Sequence, residues 1–168
     1  DASGEYNLTY FVNADNAEEE TINDTLHDVL TVTPCTYSRD NGLSTSSLSN
    51  TVANDGNPLL IGNVFDIFGD EVVAGVDIAV TSSSTNVGQI IFGRIMIFDA
   101  GSGSFVYAGQ TPDHVIDSEE NGGFIHLFFE EEVELSAGQT VLVLAGHYGG
   151  GTEVEFRMAQ PVEEQNVL

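Results

Sequence analysis

The sequence has no lysine, no tryptophan, one cysteine and three arginines, Arg39, Arg94 and Arg157, among its 168 residues. Each shortage excludes chemistry. Without lysine there is no Schiff-base nucleophile, no P-loop lysine and no lysine–asparagine crosslink. Three scattered arginines cannot displace the counterions around phosphate, which excludes nucleic acid as a partner and disfavours anionic membrane surfaces. Cys35 alone permits neither an internal disulfide nor a cysteine-based zinc site, and it reads as a structural residue. No apolar run reaches the ~18 residues that a membrane helix requires, so direct membrane insertion is not expected. With no Trp, five Tyr and ten Phe, flat stacking platforms for sugar rings are sparse.

Acid takes the place of the missing cations. The 27 Asp and Glu residues bring the formal net charge to -24 and the pI to about 4.1. Hydrophobic residues still make up 41% of the chain and charged residues only 18%, a composition that folds rather than one that stays disordered. The length suits one domain, or one domain plus a fragment. Such a surface stays soluble by self-repulsion, at a cost in stability that salt or divalent cations relieve, and this points to a saline or marine setting. A chain beginning at Asp1 reads as a processed protein or an excised piece of a longer one.

Apolar residues alternate with polar ones along nearly the whole length, between Gly, Asn, Asp and Ser clusters that supply turns. The expected fold is all-β: an antiparallel, jelly-roll-like sandwich of about eight to ten strands with little or no helix. Tyr6, Leu8, Tyr10 and Val12 share one face of a first strand, Asp15 to Glu20 reads as a solvated loop, and Leu26 to Thr33 forms a second strand that Pro34 ends. The polar run between Asp40 and Pro58 predicts a loop with one short strand. Further strands are expected at 64–68, 72–81, 89–98, 104–110, 124–129, 132–135, 140–146 and 152–158. Val72, Ala74, Val76, Ile78 and Val80 make the clearest inward face, as do Val154, Phe156 and Met158. QIIFGRIMIF at 89–98 is apolar on both faces except at Arg94, which predicts a central strand covered on each side, and FIHLFF at 124–129 is similar.

Several of these segments carry a resemblance. TYSRDNG at 36–42, GNVFDIF at 62–68, VAGVDIAV at 73–80, IMIFDAGSGSFV at 95–106 and SAGQTVLVLAGHYGG at 136–150 resemble a β-sandwich module of large secreted surface proteins of Bacteroidota, of the kind exported by the type IX secretion system. The similarity spans Thr36 to Met158. It implies an extracellular or cell-surface module set among Ig-like or adhesin-like domains, generally without an assigned activity. The preceding segment, from Gly4 to Thr33, resembles the closing strands of an Ig-like domain. The expected organisation is therefore 1–34 as the end of a preceding module or as strands paired into the main sandwich, 35–160 as the sandwich itself, and 161–168 as a tail or linker.

No recognised motif assembles a nucleophile, a tuned base and a charge-stabilising group, so catalysis is not expected. His27, His114, His126 and His147 lie on separate segments without HxH or HExxH spacing. His126, on an apolar strand, reads as a hydrogen-bonded core or sheet residue. His147, beside Tyr148 and three glycines, reads as the histidine with a surface role. Calcium is the ion that the composition favours, because it takes carboxylate, amide and carbonyl oxygens from loops. The segments offering them are Asp40 and Asn41; Asp55 and Asn57; and Asp113, Asp117, Glu119 and Glu120. None has EF-hand spacing, and turn chemistry alone accounts for Asp-Gly and Asn-Gly pairs. EEEVE at 130–134 reads as a solvated strand edge that discourages unwanted pairing. Arg39 and Arg94 are each expected in an internal salt bridge. For a ligand, Tyr37, Tyr107, His147 and Tyr148 are the candidates.

These observations lead to a non-catalytic extracellular β-sandwich module of a bacterial surface or secreted protein, serving adhesion or structural assembly through end loops or a sheet edge. Its partners would be neighbouring modules or chains. The alternative is a carbohydrate-binding module, calcium-dependent or not, attached to a polysaccharide-processing protein.

Overall fold

A computed structural model of the chain describes residues 4–11, 25–32, 36–38 and 44–159. The chain divides into two compact units, Asp1–Arg39 and Asp40–Leu168. In the first, β1 (Gly4–Phe11) and β2 (Thr25–Val32) pair antiparallel over eight residues each, from Gly4 opposite Val32 to Phe11 opposite Thr25. Val12, the 15–20 acidic run, Pro34, Cys35 and Arg39 lie outside the described residues.

The second unit is an antiparallel β-sandwich. Its described strands are β3 (Ser44–Ser49), β4 (Leu59–Asp66), β5 (Glu71–Ala79), β6 (Ile90–Asp99), β7 (Ser104–Gln110), β8 (His114–Val115), β9 (Phe124–Leu135), β10 (Thr140–His147) and β11 (Glu155–Ala159). One layer has the order β4-β10-β6-β7, with β8 also paired to β6. In the other, β9 pairs β5 and β11 pairs β3. The end of β5 joins these two pairs: Val80 bridges Phe156, Val80 N–H bonds the Gly123 carbonyl and Thr81 N–H bonds the Glu155 carbonyl. Among the described residues no sheet closes into a barrel.

The layers meet on a core of Val76, Ile78, Val80, Ile91, Ile95, Ile125, Leu127, Phe129, Val141 and Phe156, with Ile67, Ile116 and Val154 from flanking loops. Glycines set the close approach. A Cβ on Gly93 of β6 would overlap Val76 Cγ2 of β5, and one on Gly109 of β7 would come within 2.8 Å of Val133 Cγ2 of β9. Both positions therefore seat a valine from the facing layer.

Four expectations are corrected by this packing. The 72–80 alternation is not one inward face: Val76, Ile78 and Val80 are buried, but Val72 and Ala74 are exposed and Val73 packs on the core instead. A register irregularity between Val73 and Gly75 is the cause, because Val73 pairs Val133 while Gly75 pairs Phe128, and the strand changes face between them. The 124–129 segment is not covered on both sides, and neither is 89–98, where Phe98 is exposed and Met96 half-buried on the outer face. Ile125, Leu127 and Phe129 are buried, whereas Phe124, His126 and Phe128 face outward. The 124–129 segment also runs on without a break into 132–135 as the twelve-residue β9. Finally, the 40–58 run holds a one-turn helix, α1 (Asn50–Asn54), besides the short strand β3, with Ser49 as its N-cap accepting from Val52 N–H.

Two buried asparagines fix the approach to β11. Asn50 donates from Nδ2 to the Thr152 carbonyl at 2.9 Å and accepts from Val154 N–H at 2.9 Å. Asn86 donates to the Thr81 carbonyl and accepts from Glu155 N–H, both at 2.8 Å. Each amide takes the place of a missing strand neighbour for a backbone that has left the ladder.

Candidate functional site

The outer face of the β4-β10-β6-β7 layer carries the most organised surface constellation. On β6, the side chains alternate with the core-facing Ile91, Ile95 and Ile97, which turns Phe92, Arg94, Met96 and Phe98 outward. Register places Leu144 and Gln110 on either side of Arg94, and Leu142 and Tyr107 on either side of Met96. Gly146 stands opposite Phe92 on β10, and a Cβ there would overlap the Phe92 ring, so the ring lies across the neighbouring strand. Tyr148 packs against that ring with centroids 4.6 Å apart at 34°, and the Arg94 guanidinium lies 5.1 Å from the same centroid.

Polar groups connect across this aromatic floor. Arg94 donates from Nε (3.0 Å) and Nη2 (2.6 Å) to Gln110 Oε1. Gln110 Nε2 in turn donates to the Tyr148 hydroxyl at 3.3 Å, and that hydroxyl donates to Asp113 Oδ1 at 2.8 Å. The hydrogen bond to Asp113 pushes the Tyr148 phenol above its ordinary range, with partial burial adding to the effect and the Gln110 bond opposing it. Around this network Leu60, Val64, Phe98 and Tyr107 are exposed, and Met96 and Leu142 are half-buried.

The salt bridge expected for Arg94 is absent: among the described residues its guanidinium has no carboxylate within 4.0 Å and pairs with the neutral Gln110 amide. The physical reason is its position in the middle of an apolar sheet face, where register supplies only Leu144 and Gln110 as neighbours. Arg157 likewise donates to a carbonyl, that of Gly122, at 2.6 Å.

The surface role expected for His147 is overturned. His147 is 3% exposed. Its Nδ1–H donates to the Ile90 carbonyl at 2.8 Å, while Nε2 faces Thr152 Oγ1 at 3.2 Å. Parity accounts for this, because Val141, Val143, Ala145 and His147 share the inward side of β10. His126 is a hydrogen-bonded sheet residue, one of the two places expected for it, with a side chain 65% exposed on the outer face of β9 and Nδ1 2.6 Å from Asp77 Oδ1 across the strand pair.

Of the calcium candidates, Asp40 and Asn41 lie outside the described residues. Asp55 caps α1 in a left-handed conformation (φ 51°), and Asn57 folds back to donate to the Asn54 carbonyl, so both act in ending the helix. The 113–120 acids do not converge. Asp113 turns to Tyr148, whereas Asp117 accepts from the N–H groups of Glu119 and Glu120, and Glu120 accepts from Asp117 N–H and contacts His114 Nε2 at 2.8 Å. That reciprocal pattern is a capping box closing a turn. Among the described residues no three His, Cys, Asp or Glu side chains gather as a metal site. Tyr37, half exposed, sits in the first unit. Tyr107 and Tyr148 are thus the two proposed ligand residues that the fold brings to one face.

Nothing local in the sequence connects Phe92, Gln110 and Arg94 with these tyrosines. The available signal was Arg94 itself, a lone charge in an apolar strand. Comparison with family models, with curated proteins and with solved structures finds no match to this chain.

Proposed function

We propose that this chain is a non-catalytic β-sandwich module of a bacterial surface or secreted protein, serving adhesion or structural assembly through the outer face of the β4-β10-β6-β7 layer. One observation carries the proposal. In a chain of net charge -24, this face presents Leu60, Val64, Met96, Phe98, Tyr107 and Leu142 around a single arginine, with acids at its rim at Asp66 and Asp113. A solvated surface of this composition would carry carboxylates there. Apolar residues encircling Arg and Tyr, rimmed by polar groups, are what protein interfaces present.

The polar groups of the face support binding rather than chemistry: Arg94, Gln110, Tyr148 and Asp113 are committed to one another, and His147 is committed to the Ile90 carbonyl. An extracellular, saline setting agrees with the composition and with the resemblance to type IX secretion cargo.

A second reading, glycan recognition, is favoured by the exposure of Tyr107 (63%) and Tyr148 (46%) beside hydrogen-bonding groups. The two are separated by measuring the affinity of the chain for itself and for the modules encoded beside it, and by a glycan array with and without calcium. Under the assembly reading, Met96→Asp with Leu142→Asp weakens protein binding about 30-fold or more and leaves the array blank. Array signal lost with Tyr148→Ala supports the glycan reading instead. Binding unaffected by either variant removes this face from both.

A further inference from the structure

We infer that the partner of the four-stranded face is a second copy of this chain, docking through the outer face of its own β5–β9 pair; the inference rests on the assembly reading above. The two faces are chemically complementary. On β9, Phe124 and the 68%-exposed Phe128 flank His126, and on β5 Asp77 lies opposite His126, with its carboxylate 2.6 Å from the ring and 46% exposed. Here a carboxylate sits between exposed rings. On the four-stranded face, a guanidinium without a carboxylate partner among the described residues sits between Met96, Leu142, Leu144 and Tyr107. Arg94 lacks what Asp77 presents, and beside its one polar neighbour, Gln110 for Arg94 and His126 for Asp77, each charge is flanked by apolar side chains.

Alternatives fit less well. Packing the four-stranded face against itself brings two unneutralised arginines together. A sugar ring leaves Leu60, Val64 and Leu142, which stack poorly on it, uncovered. Because the two faces belong to opposite layers of one sandwich, the contact is heterologous and adds copies head to tail without closing at two. The charge of -24 on every copy opposes association in dilute salt. At 1 M salt the Debye length is about 3 Å, so the long-range repulsion disappears while a desolvated Arg–Asp contact is screened far less.

The test is sedimentation velocity of the full chain over a concentration series at low salt and in 1 M NaCl. The expected wild-type result is growth beyond the dimer that strengthens with salt. Arg94→Gln and Asp77→Asn each weaken self-association about 30-fold or more, with circular dichroism and melting showing that both variants fold. Each variant keeps one intact face, so an equimolar mixture of the two associates again but stops at the dimer. Tyr107→Asp and Phe128→Asp, in the apolar flanks of the two charges, give the same pattern. A chain that remains monomeric at every salt concentration, variants that associate like wild type, or a mixture that does not recover overturns the inference. If a monomeric wild type still binds an adjoining module, and Met96→Asp with Leu142→Asp blocks that binding, only self-docking is overturned. Loss of both kinds of binding overturns the assembly reading too.

Discussion

Val76 of β5 occupies the space that a side chain on Gly93 of β6 would need. A Cβ on Gly93 would overlap Val76 Cγ2 and lie 3.3 Å from Thr111 Cγ2, with Gly93, Val76 and Thr111 all buried. Gly93→Ala is therefore an overpacking substitution between rigid layers, expected to destabilise by about 1–3 kcal/mol and to lower the urea midpoint without changing the slope. Val76→Ala removes the obstructing methyls. On the Gly93→Ala background it costs less than it does alone, and a double-mutant cycle by urea denaturation reads that coupling. Additive effects would show that the layers do not meet at this pair.

The two buried asparagines make a second prediction. Asn50 and Asn86 are both 0% exposed, and each satisfies one carbonyl and one N–H of the backbone around β11 and the end of β5. Truncation leaves buried backbone groups without partners, so Asn50→Ala and Asn86→Ala should each cost about 2–4 kcal/mol. Amide exchange at Val154 is expected to accelerate in the first variant and at Glu155 in the second. A loss of stability without faster exchange at these amides would point to lost packing rather than lost hydrogen bonds.

Tyr148 and Asp113 link the site to pH. The phenol's pKa is raised chiefly because its O–H donates to the Asp113 carboxylate. A group whose folded-state pKa is raised contributes stability that is complete below its unfolded pKa and is lost as pH climbs through the folded value. The stability difference between wild type and Asp113→Asn should accordingly be constant near neutrality and shrink above about pH 10. In a phenolate absorbance titration, the component that Tyr148→Phe removes should move down in Asp113→Asn. An unchanged titration in Asp113→Asn would show that this carboxylate does not govern the phenol.

Much of the architecture was legible because period-two alternation and Gly/Asn/Asp turns are local properties. The all-β class, most strand positions and the central place of 89–98 follow from them, and β6 does lie between β10 and β7. Alternation states that a strand has two faces; it does not state which of them will be covered. Neither 89–98 nor 124–129 is covered on both faces: Phe98 is exposed and Met96 half-buried on β6, and Phe124, His126 and Phe128 lie outside on β9, which among the described residues pairs only β5. In 72–80 the alternation runs unbroken in sequence while the fold changes face at Ala74 and Gly75, because the offset is created by the partner strand.

The candidate site was legible only in pieces. Tyr107, Tyr148 and Arg94 each stood out alone, but Gln110 and Phe92 connect them through register and through the space above Gly146. The acids of 113–120 looked like one cluster because they are close in sequence. Turn closure spends Asp117 and Glu120 on backbone N–H groups and sends Asp113 elsewhere.

Composition by itself determined that this chain folds and that it does so under a heavy negative charge. Those are sums over residues and need no coordinates. Which histidine is buried, that Arg94 pairs with Gln110 and where an apolar face stays open were decided by tertiary structure alone. Each depends on which strands become neighbours and in what register, and these are long-range choices that alternation along a single strand does not record.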